Sequence, residues 1–125
     1  MTRIFRSKSF ARWMRQQGLL DSNLIAAIAE MDAGKWDADL GGSVYKQRVA
    51  LPNRGKSGGV RTLIAYQRGA KAFFMFGFAK SERGNVSARE LRALKLAANV
   101  LLAKNDADLK KDLKAKILIE VEKNG

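Results

Sequence analysis

The chain holds no cysteine and no histidine among its 125 residues. Without cysteine there is no disulfide framework and no thiol chemistry. Without histidine, imidazole metal sites and the commonest general acid–base side chain are also excluded. Proline occurs once. No apolar run approaches the ~18 residues of a membrane-crossing helix. The opening MTRIFRSKSF has no apolar core of a secretory leader. These gaps lead us to expect a cytoplasmic protein with no membrane role. Acidic residues are scarce as well, 12 against 24 Lys and Arg, for a net charge of +12.

Such a surface attracts polyanions, whether nucleic acid, ribosome or an anionic membrane face. The excess is concentrated. Residues 46–83 carry nine basic side chains and one acid, Glu82, whereas residues 105–125 carry five of each sign. Solubility alone does not require that segregation, and a concentrated field favours a functional reading. The length suits one domain with its own core, and a hydrophobic content of 46% agrees with a folded globule.

Hydrophobic periodicity sets the expected elements. Residues 2–6 read as a strand. Ser7 or Ser9 caps a helix whose face is Phe10, Trp13, Met14 and Gln17, and Gly18 ends it. Asp21 or Ser22 starts a second helix with Leu24, Ile25, Ile28 and Met31 inward, stopped by Gly34. From residue 44 the period becomes two. Residues 44–51, 60–68 and 71–79 form a three-strand meander, the last strand apolar on both faces and so central. Lys46 and Arg48 share one face of the first strand, with Tyr45, Gln47 and Val49 on the other. Residues 52–59 (PNRGKSGG) are a loop by composition. Ser87 and Glu90 make a capping box for a helix over about 87–104. Residues 105–116 suit a short charge-balanced helix. For 117–121, strand and continued helix both remain open.

Residues 50–57 (ALPNRGKS) fit a relaxed phosphate-loop pattern. A true phosphate loop opens a helix whose N-terminus binds the phosphate. Here Gly58-Gly59 and a β-branched run follow, so we read the match as chance and the segment as a hairpin connection. Arg54 and Lys56 on its tip remain candidate RNA contacts. Lys46, Arg48, Arg61, Lys80 and Arg83 are expected to converge near one end of the sheet, as a phosphate-binding face or, in the bland alternative, as scattered surface charge.

Three segments, in this order, resemble the RelE/HigB toxin superfamily of toxin–antitoxin systems. They are Tyr45-Lys46-Gln47-Arg48, Gly59-Val60-Arg61-Thr62-Leu63-Ile64-Ala65-Tyr66, and the turn from Phe78 to Ser87 with Lys80, Glu82 and Arg83. The resemblance covers roughly residues 2–104. It implies an α+β fold: a small antiparallel sheet of an N-terminal strand plus the meander, packed with two N-terminal helices and a C-terminal helix. Residues 1–125 are then one domain, with 105–125 a short C-terminal extension. It also implies metal-independent cleavage of messenger RNA in the ribosomal decoding site, without cofactor, and an antitoxin partner. Carried over by position, Lys46, Arg48, Arg61, Lys80 and Arg83 are the catalytic candidates, and Arg54, Lys56 and Asn85 the RNA-binding ones. Crowded cations lower a lysine's pKa, which suits Lys46 or Lys80 to proton transfer. Ser81 departs from an arginine used in catalysis, and Ser87 from a tyrosine that stacks on a base. Two other readings stand beside cleavage: an RNA- or ribosome-binding domain that blocks translation by occupancy, and a basic protein that docks an acidic partner.

Overall fold

The structure is a computed structural model, and it describes residues 2–51 and 55–122, the side chains of 55–58 excepted. Among these residues the chain runs β1 (Arg3–Ser7), α1 (Lys8–Gln17), α2 (Asp21–Asp32), β2 (Ala38–Asp39), β3 (Val44–Leu51), β4 (Gly55–Gln67), β5 (Lys71–Ala79), α3 (Ala88–Leu102), α4 (Asp106–Lys114) and β6 (Leu118–Glu120). One sheet takes the order β2-β3-β4-β5-β1-β6. The fold is α+β, as expected. The meander is antiparallel, but β1 runs parallel to β5, because α1, α2 and the strands β2–β4 lie between them in sequence and return the chain to the same end of the sheet. The short strands β2 and β6 extend the sheet at its two edges, and residues 118–120 are strand rather than helix.

Local chemistry explains the helix ends. The Ser7 hydroxyl accepts from the Phe10 amide at 3.1 Å, and Gly18 ends α1 at φ 75°, where a side chain would be strained. For α2 the cap falls on Leu20 rather than Asp21 or Ser22. The Asn23 side chain satisfies the Leu20 amide at 2.8 Å, and the Asp21 carboxylate is held by Arg6. Ser87 and Glu90 form the predicted capping box of α3.

Two cores flank the sheet. Phe10, Met14, Leu24, Ile28 and Met31 of α1 and α2 pack on Ile4, Val49, Val60, Ile64 and Phe74. Ala98 of α3 and Leu109 of α4 pack with Phe5, Val44, Leu63, Ala65 and Phe73 on the opposite side. Residues 55–59, expected in a loop, belong to β4. The glycines there let the hairpin arms lie close: a Cβ on Gly59 would sit 2.2 Å from the Val49 carbonyl oxygen, beside the register shift between Val49 and Leu51.

Candidate functional site

Side chains directly opposed in a sheet point to the same face. Arg48 opposes Arg61, and Arg61 opposes Phe78. These three make a row across β3, β4 and β5 on the α3 side of the sheet. The next row toward α3 is Lys46, Leu63 and Phe76, and the one beyond is Val44, Ala65 and Phe73. Val44, Ala65 and Phe73 pack in the same core as Ala98 of α3. Lys46, Arg48 and Arg61 therefore share one patch of one face, as the alternating spacing predicted.

Arg48 is oriented from below. Gln47 is only 1% exposed; its amide donates to the Lys35 carbonyl at 3.2 Å and to Glu30 at 3.3 Å, and its oxygen accepts from the Asp37 amide at 3.0 Å. This pins residues 35–37 against β3. The Asp37 carboxylate then accepts from the Arg48 amide at 2.5 Å and from Arg48 Nε at 3.3 Å. One end of the guanidinium is fixed, while nearly half the side chain stays exposed.

Arg61 is more buried. Its Nη1 is out of contact with solvent and has no hydrogen-bond partner among the described residues. A buried, unpaired donor of this kind calls for an explanation, and Arg61 lies directly opposite Arg48 in the row. Lys46 has no hydrogen-bond or ion-pair partner among the described residues and lies opposite Leu63. Lys80 is exposed in the turn directly after Ala79, which opposes Val60 one position from Arg61.

Arg83 is placed differently. It donates twice to Glu90, Nη1 to Oε1 at 2.7 Å and Nη2 to Oε2 at 2.8 Å, and lies 5.2 and 5.6 Å from the ring centres of Phe76 and Phe78. The guanidinium holds the Glu90 carboxyl well below its usual range, to about 2. Arg83 is therefore on the same face as Arg61, with its charge balanced. Asn85 is exposed in the same turn, its side chain accepting from the Val86 amide. Ser81 is exposed, and the Ser87 hydroxyl is committed to the Glu90 amide at 3.1 Å. Arg54 lies outside the described residues; Lys56 falls on β4, its side chain likewise outside them.

Both tyrosines face the other way. Tyr66 is buried among the α1–α2 core and donates to Asp32 at 2.5 Å; burial first, then that carboxylate, pushes its phenol above the usual range. Tyr45 packs edge-on against it. Neither reaches the basic row. Lys71, one of the nine mid-chain cations, is used structurally, donating to the Lys104 carbonyl at 2.6 Å at the end of α3.

The sequence does not single out Asp37, Gln47, Phe76 or Phe78 as site residues, and marks Glu90 only as a helix cap. The Phe78–Arg61 pairing follows from the meander register. The Asp37–Arg48 contact depends on a two-residue strand that no periodicity reveals.

Among the described residues, no helix is long and apolar enough to cross a membrane, and no three Asp or Glu side chains gather as a metal site would need. No curated protein matches the chain closely enough to count as a relative. Residues 2–121 match the family model of the RelE toxin of the RelE/RelB toxin–antitoxin system. That match spans nearly the whole chain, α4 and β6 included, so the protein belongs to the RelE toxin family of toxin–antitoxin systems.

Proposed function

We propose that this toxin is an endoribonuclease that cuts messenger RNA on the ribosome, using the Arg48–Arg61 row as its phosphate site. The observation that carries the reading is the placement of Arg61 directly opposite Arg48 on one face, with Arg61 Nη1 lacking a hydrogen-bond partner among the described residues. Planar guanidinium groups suit phosphate geometry, and two arginines side by side offer it donors in a fixed fork.

The chemistry needs no redox partner. The ribose 2′-oxygen attacks the adjacent phosphorus, the bond from phosphorus to the 5′-oxygen breaks, and the products are a 2′,3′-cyclic phosphate and a 5′-hydroxyl. One proton leaves the 2′-hydroxyl, and one is delivered to the departing 5′-oxygen. Arg61 and Arg48 stabilise the charge that develops on the phosphorane. Lys46 and Lys80, neither with a partner among the described residues, carry the protons. Arg83 is held by Glu90 and serves positioning rather than proton transfer. Arg54, Lys56 and Asn85 extend the RNA contact, and the site works in the cytoplasm without metal. Alignment by the ribosome supplies much of the acceleration, since fixing a nucleophile against its phosphate removes a large part of such a barrier. The antitoxin silences the toxin by covering the cationic face.

The test is induction in a bacterium followed by mapping of mRNA 5′ ends and of the chemistry at the new 3′ ends. Cuts within translated frames that leave cyclic phosphates support the reading. Arrested translation with intact messages favours occupancy of the ribosome, which the commitment of Ser87 to its helix cap and of Arg83 to Glu90 also fits. Uninhibited growth at high toxin levels contradicts both.

A further inference from the structure

Arg83, Phe76, Phe78 and Glu90 form a cluster whose chemistry differs from that of the phosphate row. The guanidinium is clamped at both ends by one carboxylate, lies across two aromatic rings, and keeps 37% of its side chain exposed. Its charge is already balanced, so it is a poor phosphate ligand. What it offers is a flat, rigid, weakly hydrated plate. Phe76 and Glu90 also border, with Ala93 and Leu94, a shallow surface depression of about 180 Å³.

The carboxylate is not saturated. Glu90 Oε1 accepts from Arg83 and from the Ser87 amide, whereas Oε2 accepts only from Arg83 among the described residues. A carboxylate oxygen has two acceptor positions, so Oε2 retains one. Position in the sheet adds a constraint. Phe78 is opposite Arg61, one strand spacing of about 4.8 Å away. A plate at Phe78 is therefore adjacent to the phosphate row on the same face.

We infer that Arg83, seated on Phe76 and Phe78 and locked by Glu90, is a stacking platform for an unpaired nucleobase next to the scissile phosphate. This rests on the RNA-cleaving reading and adds the base subsite to it. Bases splayed from a single strand stack on guanidinium planes as well as on aromatic rings. The free lone pair on Glu90 favours a base edge with an amino group. Uracil is the poorest occupant, because its one N–H donor on that edge is flanked by two carbonyl oxygens that the carboxylate repels.

The test uses a trinucleotide, short enough to favour one register, and its three single-abasic variants, titrated into the full-length toxin at low salt and followed by NMR. Removing one base leaves the phosphates in place, so it isolates stacking. The inference requires that one abasic variant bind about tenfold more weakly to the wild type, with ring-current shifts at Phe76 and Leu94 from the intact ligand. In Arg83→Lys, which keeps the charge but loses the plane, intact and abasic ligands should bind alike. Phe76→Leu, which keeps apolar bulk, should narrow the gap. Unchanged tryptophan emission and α3 chemical shifts certify the fold of each variant. Salt-dependent binding with no penalty for any abasic position would overturn the subsite and leave the phosphate site standing. No binding of any trinucleotide would overturn both.

Discussion

Arg61 Nη1 is buried without a partner among the described residues, and leaving such a group unmade costs ~1–3 kcal/mol, more when it is charged. Removing it therefore has opposite effects on stability and on function. Arg61→Met is expected to leave stability unchanged or to raise it by about 1 kcal/mol in urea melts, while slowing cleavage ~100-fold or more. A clear loss of stability with toxicity retained would remove Arg61 from the phosphate site. Tyr66 should behave in the reverse way. Tyr66→Phe deletes the hydrogen bond to Asp32 on the opposite face and should cost ~1–3 kcal/mol of stability with cleavage intact. Glu90 gives a pH signature. Its carboxyl is depressed to about 2 by Arg83, so the clamp is fully formed above the ordinary carboxylate range and is lost only as pH falls through about 2. NMR titration of the Glu90 side chain should show no step near the usual carboxylate value; a midpoint there would mean that the Arg83 contact is not made in solution.

At the scale of elements, the β3–β4–β5 meander carries the proposed site, and its packing limits what it tolerates. A Cβ on Gly77 would lie 2.2 Å from the Trp13 ring, on the face that α1 covers. Gly77→Ala should therefore cost ~1–3 kcal/mol by overpacking, seen in denaturant melts, with toxicity reduced only as far as stability is. An unshifted melt would mean that Trp13 does not rest on β5 as described. The meander was legible in sequence because period two is visible in residues 44–51 and because Gly69 marks the turn before β5. The capping box at Ser87 was equally legible, since it depends on residues three apart. The parallel pairing of β1 with β5 was not, because nothing local in residues 2–6 names a partner. Residues 55–59 looked like a loop because glycine and serine mark turns, yet hairpin arms in close approach also demand glycine. Of the site, the shared face of Lys46, Arg48 and Arg61 followed from alternation and register. The pairing of Arg48 with Asp37 and of Arg83 with Glu90 did not, because side-chain partners across a loop leave no periodic trace.

At the scale of the whole molecule, a net charge of +12 makes the toxin a polycation, and Arg48 and Arg61 add their charges side by side on one sheet face. Phosphate contacts release counterions, so affinity for RNA should fall steeply with salt, and Arg48→Ala should flatten that slope by about one unit. The account rests centrally on an RNA phosphate being cut at the Arg48–Arg61 row while the ribosome holds the message. The most direct measurement is cleavage of one message by purified toxin, naked in EDTA and bound to programmed ribosomes in Mg²⁺ buffer, with wild type and Arg61→Met in parallel. The account predicts rapid cutting on ribosomes by the wild type, little cutting of naked RNA, and a ~100-fold or greater loss in the variant. Equal cutting by Arg61→Met and wild type, or no cutting on ribosomes while translation is still blocked, would contradict it.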